Sequence, residues 1–246
     1  MSILYAFSAI QTNSCHNESI LPQIAACLKV EFVCYTLTMD FLLTIGISLI
    51  ILLFSAILHE VMHGYIADRL GDPTARLMGR LTLNPLKHID PFMTILLPLL
   101  LFFSGSHILF GGAKPVPVDP FNLKDGKKDV ALVALAGPLT NLALAALAAG
   151  ILHLGVLAVP FAGEVLFLIV QINIYLAIFN LLPIPPLDGS KVFALLLPEE
   201  VSNSYLSIGS IGVFILFALL SFPIGGFYLP NFMQHLYTLI SGLLGL

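Results

Sequence analysis

Leu58-His59-Glu60-Val61-Met62-His63-Gly64 closes an apolar run that begins at Phe41, and no charged side chain occurs between Phe41 and Leu58. Read as helix, Phe41 to Tyr65 would span about 37 Å at roughly 1.5 Å per residue, enough to cross a bilayer with tilt. His59 and His63 are four residues apart, so they stand one above the other on the same helix face. Two neutral imidazoles placed this way can grip one zinc ion, and Glu60 between them can serve as general base toward a zinc-bound water. The stretch therefore predicts a membrane helix that carries two of the three ligands of a hydrolytic zinc site near its end. Asp68 and Arg69 mark its exit into water, and Gly71-Asp72-Pro73 stops it.

The composition agrees with this setting. The 246-residue chain is 58% hydrophobic and 10% charged, with a mean hydropathy of +1.00. Soluble domains carry about 25% charged residues, so this chain cannot cover itself with a charged surface and is expected to be integral to a lipid bilayer. The net charge of −4 is small and scattered, which excludes nucleic acid as the expected partner. There is no Trp, so Tyr and Phe are left to populate the membrane interfaces. Cys15, Cys27 and Cys34 have no C-x-x-C spacing, and their odd number gives no disulfide framework.

Residues 1–38 read as a peripheral N-terminal extension. They mix polar clusters with an apolar stretch broken by Pro22, Lys29 and Glu31, and no basic segment precedes an apolar core as in a signal peptide. Met39, directly before Asp40 and the first span, is the expected native start. Residues 39–200 would form the membrane core that holds the zinc site, and 201–246 a set of C-terminal membrane helices.

Beyond the first span, Ala75, Leu77, Gly79, Leu81 and Leu83 alternate with Arg76, Met78, Arg80 and Thr82, which predicts a strand at the membrane surface over Thr74 to Ile89. Phe92 to Phe103 is only twelve apolar residues with Pro98 inside, a length typical of re-entrant segments. Basic residues flank it on both sides (Arg69, Arg76, Arg80 and Lys87 before; Lys114, Lys124, Lys127 and Lys128 after). A run that dips in and returns keeps both flanks on one side; a full span extended to Phe110 is the other possibility. Gly111 to Pro120 cannot be helix because of its alternate prolines, and Val116 and Val118 favour an extended form. Its exposed edge suits either a peptide pairing by strand addition or a rigid surface loop.

Val130 to Leu154 is the next predicted span, rich in small residues that let helices approach closely. Asn141 within it needs a hydrogen-bond partner, either for packing between helices or near the site. Val165 to Leu182 follows, with Gln171, Asn173 and Asn180 inside it, and then three prolines from Pro183 to Pro186 unwind the chain before Asp188-Gly189. Tyr205 to Phe222 reads as a further span and Phe227 to Leu246 as a last one. The expected fold is an all-α polytopic membrane protein of about five or six membrane helices, with a re-entrant segment and short membrane-associated β-strands around the site.

A catalytic zinc takes three protein ligands and keeps one position open. The position six residues beyond His63 is Arg69, which excludes that arrangement of a third His. Among the other histidines only His88 is a candidate. Asp188 is the stronger one, an ionisable group at the end of an apolar run in unwound backbone, where such a group is costly and usually functional. If Phe92 to Phe103 re-enters, the order of spans brings Asp188 to the side and depth of His59 and His63.

With these residues in hand, the chain resembles the site-2 protease family of intramembrane zinc metalloproteases (peptidase family M50), in a minimal form with no room for an inserted regulatory domain. The resemblance is carried by His59-Glu60-x-x-His63 at the end of a span and by Asn180-x-x-Pro183-x-x-x-x-Asp188-Gly189 in a later one. Gly112 to Val118 and Gly137-Pro138-x-x-Asn141 also fit, and the match covers about Phe41 to Lys191. It implies one zinc ion bound by His59, His63 and Asp188, with Glu60 as base and Asn180 positioning substrate or stabilising the oxyanion. Lys114, Pro115, Val116, Pro117 and Val118 would guide the substrate, with Asn141 nearby. The implied substrate is a membrane protein or peptide with a transmembrane segment. In a prokaryote the protein would lie in the cell membrane, with the site nearer the cytoplasmic side. A transporter or a non-proteolytic zinc protein could share the same polar features. Against the former, no inverted repeat of the Pro-rich segment is visible; against the latter, Glu60 is intact.

Overall fold

The computed structural model describes residues 20–90, 96, 114–154 and 160–246. The chain divides between Gly46 and Ile47 into two compact units. Helix α1 (Ile20–Leu70) begins in the first unit and ends in the second. The second unit then holds α2 (Thr74–Leu77), α3 (Lys127–His153), α4 (Pro160–Leu181), α5 (Asp188–Ala194), α6 (Glu199–Ser207), α7 (Gly209–Ser221) and α8 (Leu229–Leu243).

Three helical segments among the described residues are long and apolar enough to cross a membrane: Leu42–Leu70, Lys127–His153 and Phe161–Leu181. Their outward residues, such as Leu49, Ile50, Phe54, Leu139, Leu147 and Phe167, are exposed apolar groups. On a soluble protein such a surface would drive aggregation; here it suits lipid. The protein is thus an integral membrane protein built on helices.

The core sits where α3 and α4 pack together and α7 and α8 close over them. Ala145, Ala148 and Ala149 of α3 meet Val170, Ile174 and Ile178 of α4, with Leu216, Leu229 and Met233 completing the cluster. The alanines let the two helix backbones come close, which is how membrane helices gain packing when burial from water offers little. Pro138 lies inside α3. It is buried in protein, where the carbonyl it leaves unpaired is shielded from lipid.

The structure corrects the expected strand over Thr74 to Ile89. The segment is a short helix (Thr74–Leu77), a turn at Gly79 with φ +62°, and a 3-10 turn at Pro85–Lys87. The reason is Asp72, whose carboxylate accepts from both the amide and the hydroxyl of Thr74 and so starts a helical turn. The alternation did not report two faces, since Leu77 and Met78 are both exposed while Ala75 and Arg80 are buried. The other expected β-structure is also missing: Lys114 to Asp119 makes no ladder, and the single β-bridge among the described residues joins Ile224 and Phe227.

A second correction concerns Tyr205 to Phe222. It is two helices, α6 and α7, meeting at 70° over Glu199–Ser207 and Ile211–Ser221. Counted as one broken span, the pair raises the number of candidate spans to four among the described residues. The expected re-entrant segment at Phe92 to Phe103 lies outside the described residues, apart from Leu96.

Asp72 also ties the loop after the extended segment to the end of α1. It accepts from Asp119 N at 2.7 Å and Asn122 Nδ2 at 3.0 Å. Burial, the largest single influence, pulls its pKa up; the hydrogen bonds from Thr74, Asn122 and Asp119 outweigh it, and the carboxyl lies below its ordinary range. The extended segment is held at its other end too, where Arg80 Nη2 donates to the carbonyls of Lys114 (2.9 Å) and Pro115 (3.2 Å), and Lys114 N donates to His88 O at 2.8 Å.

Candidate metal centre and active site

Helix α1 presents His59 and His63 one turn apart, both buried. Their Nε2 atoms lie 3.0 Å from each other, and Asp188 Oδ2 is 3.1 Å from both. Asp188 reaches them as the first residue of α5, immediately after the proline-rich turn that reverses the chain at the end of α4. Gly189 permits that reversal: a Cβ there would sit 2.1 Å from Leu181 O. Asp188 and Gly189 are therefore one device, the first residue supplying the oxygen and the second letting it come near.

The protonation of this cluster follows from what surrounds it. His59 Nδ1 lies 2.6 Å from Asn141 Oδ1, and His63 Nδ1 lies 2.7 Å from Val133 O. A carbonyl oxygen only accepts, so each neutral ring carries its proton on Nδ1 and leaves Nε2 as a bare lone pair. Two such lone pairs and a carboxylate oxygen, mutually within 3.1 Å, repel one another unless a cation sits among them. Bonds of about 2.0–2.1 Å in ideal tetrahedral geometry would put ligands roughly 3.4 Å apart, so the observed triangle needs only slight opening.

A second observation points the same way. A Cβ on Gly137 of α3 would lie 2.5 Å from His59 Nε2 and 2.5 Å from His63 Nε2. Helix α3 therefore leaves open the space in front of the two nitrogens. The donor set and the cradle both fit zinc. His88, the other candidate ligand, is elsewhere: it is fully buried, and its Nε2 donates to Thr82 O at 2.8 Å.

Glu60 points from α1 toward the extended segment, where its Oε2 accepts from Val116 N at 2.8 Å. A cavity of about 350 Å³ opens beside it, and its walls include the metal cluster, Glu60, Asn180 and Lys191. Of the predicted substrate-guiding residues, Pro115, Val116 and Val118 face this cavity, whereas Lys114 and Pro117 do not line it. Asn180 Nδ2 donates to Leu176 O at 2.9 Å, closing the end of its own helix, and keeps a second N–H. Asn141 is fully buried and serves His59, with no contact to the cavity.

Several residues of the site were not singled out from the sequence. Lys191 Nζ lies 3.1 Å from Asp188 Oδ1, the oxygen turned away from the histidines. Val133 contributes through its carbonyl, which no side-chain pattern reveals. Gly137 was read as part of the Gly137-Pro138-x-x-Asn141 pattern, but not as the residue that opens space before the histidines. Arg80 was read as one position of an alternating strand and a basic flank, but its guanidinium donates to the carbonyls of Lys114 and Pro115 and so holds the extended segment.

Two histidines from one membrane helix, a carboxylate from the short helix that follows another, and a glutamate beside a cavity define a metal-dependent hydrolase site inside a membrane protein. Comparison with known proteins specifies the class further. Residues 47–162 and 156–222 match the family described as peptidase family M50. Similar proteins carry the name "Putative zinc metalloprotease": YwhC of Bacillus subtilis is 38% identical over 188 residues, covering 73% of this chain and 82% of the relative. Rip2 of Mycolicibacterium smegmatis is 32% identical over 185 residues, covering 73% and 69%. Rip2 of Mycobacterium tuberculosis is 38% identical over 140 residues, covering 56% and 52%. No solved structure matches. The chain belongs to peptidase family M50.

Proposed function

We propose that this protein is an intramembrane zinc endopeptidase that cuts peptide bonds in or next to transmembrane segments of other membrane proteins. The observation that carries the reading is the convergence of three lone-pair atoms of His59, His63 and Asp188 beside Glu60, at the wall of a cavity. Zinc held there supplies a Lewis acid and a water that ionises near neutral pH. Glu60 accepts the proton of the attacking water and returns it to the leaving amine. The spare N–H of Asn180 meets the developing negative charge on the scissile carbonyl oxygen. Lys191 neutralises the outer oxygen of Asp188 and keeps that carboxylate turned toward the histidines.

The substrate is cut in extended form. The cavity is lined on one side by the extended residues Pro115, Val116 and Val118, which suits a peptide lying alongside them in extended form. A helical carbonyl is also bonded to its own backbone and cannot be attacked until the helix opens. The extended segment offers replacement bonds, because the N–H and C=O of Val118 and the C=O of Val116 have no hydrogen-bond partner among the described residues. Pro115 and Pro117 have no N–H, which restricts pairing to the Val116–Val118 edge. Basic residues (Arg69, Arg76, Lys87, Lys114, Lys124, Lys127, Lys128) concentrate in the segments adjoining the site, and this supports an active site nearer the cytoplasmic face.

The test is purified protein in liposomes with a single-span substrate. Cleavage fragments should appear, disappear on chelation of zinc and return when zinc is restored. A chelated protein that cuts at the original rate would overturn the reading.

A further inference from the structure

A chain of buried polar side chains runs behind His59 across three helices, and its direction can be read without ambiguity. It begins at Asn173 in α4, which is fully buried. Asn173 Nδ2 donates to Ile169 O at 2.9 Å and to Ser55 Oγ at 3.0 Å. Asn173 Oδ1 then accepts from Asn141 Nδ2 at 2.9 Å. Asn141 Oδ1 is left facing His59 Nδ1 at 2.6 Å.

An amide's oxygen and nitrogen are nearly the same shape, so either end could in principle face a neighbour. Here the backbone removes the choice. Ile169 O accepts and never donates, so Asn173 must turn its nitrogen toward it and its oxygen toward Asn141. Asn141 must answer with its nitrogen, and its oxygen therefore faces the histidine. His59 must in turn carry its proton on Nδ1. The lone pair on Nε2, which a metal requires, is thus fixed by a carbonyl on another helix.

We propose that Asn173 is a positioning residue for the metal centre, acting through Asn141 to hold His59 in the tautomer that binds zinc. The inference rests on the zinc-site reading above and extends it to a residue that touches neither metal nor cavity. Without Asn173, Asn141 is free to turn its nitrogen toward His59. The ring would then move its proton to Nε2 and block the metal. Ser55 has a smaller part, because Ile169 O orients Asn173 on its own.

The experiment measures the zinc dissociation constant at fixed pH by competition with a chromophoric chelator in liposomes. A direct hydrogen-bond partner of a ligating histidine typically contributes 10–100-fold to metal affinity, so Asn173→Leu, which releases that partner, should weaken zinc binding by up to about that factor. The informative variant is Asn173→Leu combined with Asn141→Asp. A carboxylate at 141 can only accept, so it holds the proton on His59 Nδ1 without help from Asn173, and zinc affinity should recover. A purely structural role for Asn173 would give no such rescue. Nitrogen-15 NMR of histidine-labelled, metal-free protein should show His59 as the Nδ1–H form in wild type and in the double variant, with Nε2–H appearing in Asn173→Leu. A folded Asn173→Leu protein with wild-type zinc affinity, or a double variant that stays weak, overturns the proposal. If wild type itself binds no zinc, the zinc-site reading has failed instead.

Discussion

Replacing Glu60 with glutamine is expected to lower the rate of peptide cleavage by about 10²- to 10⁴-fold, the usual contribution of a general base, while zinc stays bound. Glutamine has nearly the shape of glutamate, and its amide oxygen can still accept from Val116 N, which lies 2.8 Å from the carboxylate. The extended segment should therefore keep its place. What is lost is the ability to take a proton from the attacking water and deliver it to the leaving nitrogen. Zinc content measured beside turnover separates this from damage to the metal centre. A Glu60→Gln protein that keeps its zinc and cuts as fast as wild type would remove Glu60 from the chemistry.

Gly137→Ala is the second large effect, and two contributions to it have opposite signs. Inside a helix, alanine is favoured over glycine by about 0.8–1.0 kcal/mol, so propensity alone would make α3 more stable. The site decides otherwise. The new Cβ would stand 2.5 Å from both Nε2 atoms, far inside contact distance, in the space the metal needs. The expected protein keeps its helices but is less heat-stable than wild type, because both rings must give way and the bound metal is lost, and it purifies with little zinc and does not cleave. Full zinc occupancy in Gly137→Ala would show that the space before the histidines is not the metal cradle.

How much of this could be read in the sequence depended on the range of the interactions. His59, Glu60 and His63 were legible because four-residue spacing on an uncharged helix is a local pattern with one geometric outcome. Asp188 was legible by its cost, a carboxylate at the end of an apolar run. The pairing of Asn141 with His59 and Asn173 was not, since the partners lie 82 and 32 residues away and polar groups in spans also serve plain packing. The strand expected at Thr74 to Ile89 failed because alternation was read as two faces. The chain instead uses Asp72 to start a helical turn and buries Arg80 to hold two carbonyls. The 70° break between α6 and α7 was hidden because the stretch from Tyr205 to Phe222 carries no charge, although Ser207, Gly209 and Ser210 lie at the junction.

The central claim is that His59, His63 and Asp188 together hold one catalytic zinc, and zinc per chain after dialysis against a weak chelator tests it most directly. Wild type should retain close to one equivalent. Asp188→Ala removes the only anionic member of the donor set, so it should lose most of its zinc and its cleavage together, with the helices intact. An Asp188→Ala protein that still holds a full equivalent of zinc would contradict the account.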